Sequence, residues 1–327
     1  MSKIFITRPI PDQGIKMLKE KKYSVSIYPK DEIIPREEFL KGVRGVDALL
    51  PILTDKIDAE VLQAAGPQLK IVANYAVGFD NIDLEACKKR KVMVANAPGP
   101  EIVQAVAEHT FALILALAHR IVEADKFTRA GKYKGWGPQL MLGTDVHGKT
   151  LGIVGLGRIG FAVAERAVKG FRMKAIYNDV KPNPEFEKNY GARFVNLSTL
   201  LKESDFVSLH VPLLPSTRHL ISTPQFKLMK PTVFLINTSR GPIVDEKALL
   251  QALKKRQIAG AGLDVFECEP SIDCDINDHL ELKSFENVIL TPHTASATVE
   301  TRQAMSRTAA TNIIAALSGK KPPNLVT

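Results

Sequence analysis

Short apolar runs rich in β-branched residues alternate with stretches of helical period along almost the whole chain. In the first hundred residues the runs fall at 4–7, 25–28, 48–50, 71–73 and 92–94, with helix-compatible stretches at 14–21, 36–41, 59–65 and 84–90. The middle repeats the pattern, with runs at 151–154, 175–177, 206–211, 233–236, 260–265 and 288–290. Strand and helix in strict turn predict an α/β protein built on parallel sheets. Six strands in the second set are enough for a complete doubly wound domain.

Between the two sets lies a stretch from Glu101 to Arg129 that is apolar on nearly every side: Val103, Val106, Ala107, Phe111, Leu113, Ile114 and Leu117. Such a helix is expected to be buried. It reads as the inter-domain connector and as the contact region of a homodimer. Pro98-Gly99-Pro100 punctuates the chain just before it. The last stretch, 297–317, is helical and too short to form a domain, so it is expected to pack back on an earlier part. The expected organisation is a discontinuous first domain, residues 1–100 plus 294–327, with a second domain, 101–293, inserted in it.

One segment adds chemistry to this pattern. Gly155-Leu156-Gly157-Arg158-Ile159-Gly160 follows the run at 151–154 and opens a helical stretch, and Asp179 stands 19 residues after the last glycine at the end of the next run. That is the strand–turn–helix–strand–acid order of a dinucleotide site. The first glycine permits the tight turn, the second lets backbone approach the pyrophosphate, and the third lets helix and strand pack closely. The phosphates then meet the N–H groups and positive dipole of a helix N-terminus. A carboxylate at Asp179 accepts from the ribose 2′-hydroxyl and repels a 2′-phosphate, which favours NAD(H) over NADP(H); Lys181 nearby leaves NADP(H) open.

Three further residues fall at or after the ends of predicted strands, the edge where open α/β sheets bind ligands. They are Arg240 in Asn237-Thr-Ser-Arg-Gly241, Glu269 in Asp264-Val-Phe-Glu-Cys-Glu-Pro270, and His293 in Thr291-Pro-His-Thr. The planar fork of an arginine can hold a substrate carboxylate and polarise the neighbouring carbonyl. The histidine can give a proton to the carbonyl oxygen as hydride arrives. The glutamate can pair with the imidazole and keep it charged until needed. Taken singly, these are a surface charge, a loop residue and a satisfied polar group; together, beside a dinucleotide loop, they form a candidate catalytic set.

Composition narrows the reading further. The chain has 327 residues, 45% of them hydrophobic and 24% charged, which fits a globular protein of two domains. No run approaches the roughly 20 apolar residues of a membrane span, and the N-terminus has too short an apolar core for a signal peptide, so the cytoplasm is the expected location. The net charge of +9 comes from scattered lysines and arginines without an aromatic-interleaved stripe. It is expected to attract anionic small molecules rather than nucleic acid. Cys87, Cys268 and Cys274 are too few for a disulfide framework. Cys268, Cys274 and His279 match no common zinc spacing. Asp273, Asp275 and Asn277 start like a calcium loop, but Asp278 and Ser284 stand where its glycine and glutamate belong.

With these motifs in order, the chain resembles the D-isomer-specific 2-hydroxyacid dehydrogenases over nearly its whole length. The resemblance rests on 77–83 (Val-Gly-Phe-Asp-Asn-Ile-Asp), the 155–160 loop, 237–241 leading to Val244-Asp245-Glu246, Gly262-Leu-Asp-Val-Phe-Glu267 with Glu269-Pro270, and Pro292-His293. Within that family it is most similar to glyoxylate/hydroxypyruvate reductases, through Gly135-Trp136-Gly-Pro138, Gly148-Lys-Thr-Leu-Gly152 and Pro322-Pro-Asn-Leu325.

The resemblance implies a Rossmann dinucleotide domain inserted in a flavodoxin-like substrate domain. It also implies hydride transfer between a nicotinamide and C2 of a small 2-oxo or 2-hydroxy acid, in a cleft that closes between the domains. Arg240, Glu269 and His293 would act as described. The N–H groups of Val77 and Gly78 would bind the substrate carboxylate, and Leu53 would line the same pocket. Arg158 and Ile159 would cover the pyrophosphate, Thr238 would contact the cofactor, and Asp264 would hold the nicotinamide carboxamide. Many reductases of the subgroup carry Ser-Arg where this chain has Asp179, and the stretch from Ser271 to Phe285 is longer than usual. Trp136, the only tryptophan, is read either as a cap on the pocket of a neighbouring subunit or as packing. His109, His119, His147, His210, His219 and His279 are read as structural or surface residues.

Other activities fit less well. A phosphoglycerate dehydrogenase would need an extra cationic site. Formate dehydrogenases have glutamine where Glu269 stands, and phosphite dehydrogenases have lysine where Val77 stands. NAD(H)-sensing corepressors share the fold and keep the three catalytic residues, but they carry accessory extensions that this sequence lacks.

Overall fold

The computed structural model describes residues 1–269 and 280–326. It divides into two compact units, Met1–Ile102 with Ala297–Thr327, and Val103–Ser296.

The first unit holds five parallel strands: β1 Lys3–Ile6, β2 Ser24–Ile27, β3 Ala48–Leu50, β4 Ile71–Ala73 and β5 Met93–Ala95. Their order is β2-β1-β3-β4-β5, the flavodoxin-like arrangement. Helices α1 Asp12–Glu20, α2 Arg36–Gly42, α3 Ala59–Ala65 and α4 Leu84–Lys89 alternate with them. Every residue of β3 and β4 is buried, as strands covered on both faces must be. Helices α3 and α4 start at side-chain caps: Asp58 accepts from the Val61 N–H and Asp83 from the Ala86 N–H. The C-terminal helix, Val299–Leu317, packs on α1. Its Ser306 hydroxyl accepts from the Gly14 N–H (3.0 Å), and a Cβ at Gly14 would lie 2.2 Å from the Ser306 carbonyl oxygen.

The second unit holds β6 Thr150–Val154, β7 Lys174–Asn178, β8 Arg193–Phe194, β9 Phe206–Leu209, β10 Phe234–Asn237, β11 Gly260–Leu263 and β12 Val288–Leu290. They form one sheet in the order β12-β11-β10-β9-β6-β7-β8, parallel throughout. Counted from β6, this is the Rossmann order with one strand more beyond the sixth. The strand the sequence pattern missed is β8, an exposed edge strand of two residues, too short to leave a run. Around the sheet lie α5 Pro100–Ala118, α6 Ile121–Arg129, α7 Arg158–Phe171, α8 Pro184–Tyr190, α9 Leu197–Glu203, α10 Thr223–Phe226, α11 Glu246–Lys254 and α12 Leu280–Lys283. Phe111, Ile114, Ile153 and Ala164 pack in one core cluster; Val207, Leu235, Leu249 and Leu263 pack in another.

One expectation is corrected here. The stretch from Glu101 to Arg129 is not one helix. Arg120 takes a left-handed conformation (φ +54°) and divides it into α5 and α6. Burial also differs between the halves: α5 buries Val106, Phe111, Ile114 and Leu117, whereas α6 buries no residue. By length and composition α5 could cross a membrane, but more than half of its apolar window is covered by the protein, as in a core helix. Cys87 is a buried free thiol. Cys274, His279, Asp273, Asp275, Asn277 and Asp278 lie outside the described residues.

Candidate active site

The glycine loop sits where β6 ends and α7 begins, at the point where the strand order of the second sheet reverses between β6 and β9. Ligands of open α/β sheets bind at such points. Gly155 has φ +94°, and a Cβ there would press on the His210 carbonyl (2.9 Å). A Cβ at Gly160 would lie 2.1 Å from the Gly155 carbonyl oxygen, so the helix can meet the turn only with glycine there. A Cβ at Gly157 would touch nothing within 4 Å. Its absence serves no internal packing and leaves the backbone open to approach from outside. Gly157 is also the N-cap of the 14-residue α7 and makes no side-chain cap, so the first N–H groups of that helix are left for a ligand. Arg158 is exposed and Ile159 half-buried on its first turn. Asp179, just past β7, accepts from the Leu156 N–H (2.7 Å) and from the Val180 N–H (2.6 Å), so the acid is tied to the loop it serves. The residues present fit a dinucleotide.

Three adjacent strands carry the rest. Asn237, Leu263 and Leu290 end β10, β11 and β12 in register. Arg240 lies three residues past the first, Glu269 six past the second and His293 three past the third. The structure brings two of them into direct contact: His293 Nδ1 lies 2.6 Å from Glu269 Oε2, with both side chains nearly three-quarters buried. Glu269 takes one ring nitrogen and leaves Nε2 as the group that can meet a substrate. His293 holds a left-handed backbone (φ +54°), unusual for a residue other than glycine.

What holds it there is Asp264, wholly buried at the end of β11. Its carbonyl accepts the His293 N–H (2.8 Å). Its Oδ1 accepts from the Thr291 hydroxyl (2.6 Å) and the Thr294 N–H (2.8 Å), and Oδ2 from the Ala295 N–H (2.8 Å). Burial by itself raises the pKa of this carboxyl, but hydrogen bonds from His109, Thr291, Thr294 and Ala295 outweigh it, and the net shift is downward. The resemblance gave Asp264 to the nicotinamide carboxamide; the role visible in the structure is to fold the His293 segment around its carboxylate. The sequence reading did not find that network. Nor did it find His109 of α5, whose Nε2 lies 3.0 Å from the Thr291 hydroxyl and 3.4 Å from Asp264. The only sequence signal was a histidine in a largely apolar helix.

Arg240 is half-buried, and Nη1 donates to the Ser239 carbonyl (2.8 Å). Its turn is fixed by Asn237, which accepts from the Ser239 N–H (3.1 Å) and donates through Nδ2 to the Arg240 carbonyl (2.9 Å). Thr238 is buried with its hydroxyl 3.0 Å from that of Thr110. Thr110 already donates to the Val106 carbonyl, so Thr238 is the donor in the pair. Other histidines also have partners. His210 Nε2 meets the Ser208 hydroxyl (2.8 Å), and burial pushes its pKa down to about 3. His219 meets Glu267.

In the first unit, Leu53 follows β3, and Val77 and Gly78 follow the neighbouring β4. Two asparagines shape the latter turn: Asn96 Nδ2 donates to the Val77 carbonyl (2.7 Å) and Asn74 Nδ2 to the Gly78 carbonyl (2.9 Å). The N–H groups of Val77 and Gly78 donate to no acceptor among the described residues. Two adjacent free N–H groups with their carbonyls tied back can receive an anion. Asn81 links the two loops, donating to the Ile52 and Asp55 carbonyls (3.1 and 2.9 Å) and sharing a bond with Asn74. Trp136 is 84% exposed, so its ring is not part of a core among the described residues.

Comparison with known proteins agrees with this geometry. Residues 111–295 match the family model described as D-isomer specific 2-hydroxyacid dehydrogenase, NAD binding domain. The glyoxylate reductase of Thermococcus litoralis is 53% identical over 328 residues, covering 99% of this chain and 96% of its own. A crystal structure of a Thermus thermophilus protein superposes with a TM-score of 0.91 at 41% identity, covering 99% of this chain and 100% of that one. The NADPH-dependent glyoxylate/hydroxypyruvate reductase of Sinorhizobium meliloti superposes with a TM-score of 0.84 at 30% identity, covering 100% and 98%.

Proposed function

The chain belongs to the D-isomer specific 2-hydroxyacid dehydrogenases, and from that premise we propose that it reduces glyoxylate, and hydroxypyruvate beside it, to the D-2-hydroxy acid with NAD(H) as the preferred carrier. The observation that carries the reading is the Glu269–His293 pair, set at the carboxyl edge of the same sheet that ends β6 in a dinucleotide loop. A nicotinamide held there would supply the hydride to C2. His293 gives a proton from Nε2 to the carbonyl oxygen, so charge does not build up there. Glu269 stabilises the imidazolium before transfer and keeps the ring aimed through Nδ1. Arg240 pairs with the substrate carboxylate and leans its positive charge on the carbonyl. In the first unit, the adjacent N–H groups of Val77 and Gly78 offer a place for a carboxylate, the role that the resemblance implies for them beside Leu53. Arg158 and Ile159 would flank the pyrophosphate, Asp179 would accept from the ribose, and Thr238 and Asp264 would hold the nicotinamide end.

The test is the oxidation of NADH and of NADPH against a panel of 2-oxo acids. Glyoxylate and hydroxypyruvate are expected to lead, and Arg240→Ala is expected to lower kcat/KM for them by about two orders of magnitude or more. Faster turnover of large hydrophobic oxo acids, or an unaffected R240A, would reject the assignment.

We further propose a homodimer. A groove of about 750 Å³ runs between α5 and α7, lined by Phe111, Ala112, Leu115, Phe171 and the charged Glu108 and Arg166. Ile121, Trp136 and Leu142, 52%, 84% and 66% exposed, lie on and just beyond α6. Exposed apolar area of this kind is what subunit contacts cover. A native mass of one chain would exclude the dimer.

A further inference from the structure

We propose that Glu267 is a positioning residue for the reaction, holding the segment that carries Glu269 and the turn that carries Arg240 in one fixed arrangement. The inference rests on the reading of Glu269 and His293 given above. Glu267 stands two residues before Glu269, in a turn closed by the Glu269 N–H on the Phe266 carbonyl (3.1 Å). Both its main chain and its side chain are anchored. Its N–H donates to Glu246 Oε1, and its own Oε2 accepts the Glu246 N–H at 3.0 Å. Glu246 is the first residue of α11, so the Glu267 carboxylate meets the positive end of a nine-residue helix. The other oxygen, Oε1, lies 2.5 Å from His219 Nε2 and 3.9 Å from Arg218 Nη2. Two acidic side chains thus sit side by side, offset by a helix terminus, an imidazole and a guanidinium.

The same clamp reaches Arg240. A Cβ at Gly241 would lie 1.7 Å from the Phe266 carbonyl oxygen and 2.5 Å from the Glu267 nitrogen, so the Arg240–Gly241 turn rests directly on the peptide that Glu267 anchors. His219 closes the loop from the other side. Its own N–H donates to the Pro242 carbonyl (2.8 Å), and two residues on, the Ile221 N–H donates to the Ile243 carbonyl (3.1 Å). Glu267 touches neither substrate nor the reacting atoms in this scheme. It sets the distance from which Glu269 meets His293, and small displacements of such a pair cost turnover steeply.

A double-mutant cycle in the full-length enzyme separates this from a general loss of stability. Glu267→Ala is expected to lower kcat by at least about tenfold while the NADH dissociation constant moves less than about twofold. In a Glu269→Gln background, where the pair it serves is already impaired, E267A is expected to lower kcat by a clearly smaller factor than in wild type, the remaining loss coming from the Arg240 turn. Should E267A not fold, His219→Ala replaces it in the cycle. His219→Gln, which keeps a donor for Glu267, is expected to recover most of the turnover that H219A loses. Equal losses from E267A in both backgrounds, or wild-type kcat in folded E267A, would overturn the inference alone. Wild-type turnover in E269Q by itself would overturn it together with the Glu269 reading.

Discussion

The main-chain N–H of His293 donates to the carbonyl of Asp264 at 2.8 Å, and the carboxylate of the same aspartate collects the N–H groups of the next two residues. The segment Thr291–Ala295 is therefore wrapped around one buried anion at the end of β11. A left-handed histidine costs energy that the unfolded chain does not bear, and the wrapped carboxylate is what offsets it. Asp264 links the fold to the proposed chemistry: the same bonds that stabilise the second unit hold His293, the proposed acid–base group, in place.

Asp264→Asn tests that link. The amide has one accepting oxygen and presents an NH2 to donors, so at least one of the Thr291, Thr294 and Ala295 groups loses its partner. An unsatisfied buried donor costs about 1–3 kcal/mol. The pH dependence follows from the direction of the shift. The folded-state pKa lies below the ordinary 3.8, so the carboxylate contributes stability at neutral pH that is retained above the unfolded-state value and lost as pH falls through the folded-state value. Urea midpoints of wild type and D264N are expected to differ at pH 7 and to converge below about pH 4. A constant gap across that range would mean that the ionised carboxylate is not what holds the segment.

His293→Ala is expected to reduce kcat by about 10²–10⁴-fold, the range in which general acid catalysis contributes, with NADH binding little changed. Glu269→Gln keeps a hydrogen-bond acceptor for Nδ1 but removes the charge that favours the imidazolium, so a smaller loss is expected. Stopped-flow hydride transfer from NADH to glyoxylate is the measurement. Loss of NADH affinity in H293A, with unchanged transfer once bound, would take His293 out of proton transfer.

Much of this was legible in the sequence because it is local. β3 and β4 fall on the runs that forecast them, since a fully covered strand is a continuous apolar string. The glycine loop was legible because backbone geometry leaves Gly155 and Gly160 no alternative. Arg240, Glu269 and His293 could be singled out by their place after strand ends. What the sequence did not disclose depends on distance in space. The break at Arg120 needs a left-handed residue that no glycine announces. His109 and Asp264 are 155 positions apart, and His219 and Glu267 are 48 apart, so no spacing rule connects them. β8 is too short to form a pattern and exists because β7 offers it an edge.

Asp179 makes two contributions that different substitutions separate. Its charge would repel a 2′-phosphate, and its oxygen holds the Leu156 N–H of the glycine loop at 2.7 Å. Asp179→Asn keeps an oxygen for Leu156 and loses the charge; Asp179→Ser loses both. D179N is expected to raise the NADPH-to-NADH ratio of kcat/KM by about tenfold, one partly exposed charge repulsion, while keeping most of its NADH activity. D179S is expected to shift the ratio similarly and to lose NADH activity as the loop loosens. An unmoved ratio in both variants would mean that another residue reads the ribose.

Gly157 and Gly160 offer a sharper contrast, because both belong to the fingerprint and only one is required by the fold. At Gly160 an added methyl would meet the Gly155 carbonyl oxygen at 2.1 Å, a backbone atom that cannot move aside without shifting β6 against α7. Gly160→Ala is expected to lower stability by about 1–3 kcal/mol, the usual cost of overpacking a tight site. At Gly157 the same methyl would meet nothing within 4 Å, and φ −70° with ψ −168° is extended backbone that alanine adopts freely. Gly157→Ala is therefore expected to unfold at the wild-type urea midpoint and yet to bind NADH at least about tenfold more weakly, since the methyl occupies the approach to the helix N-terminus. Equilibrium unfolding and fluorescence titration with NADH measure the two effects separately. A G157A protein with wild-type affinity would show that the pyrophosphate does not approach the backbone at this residue.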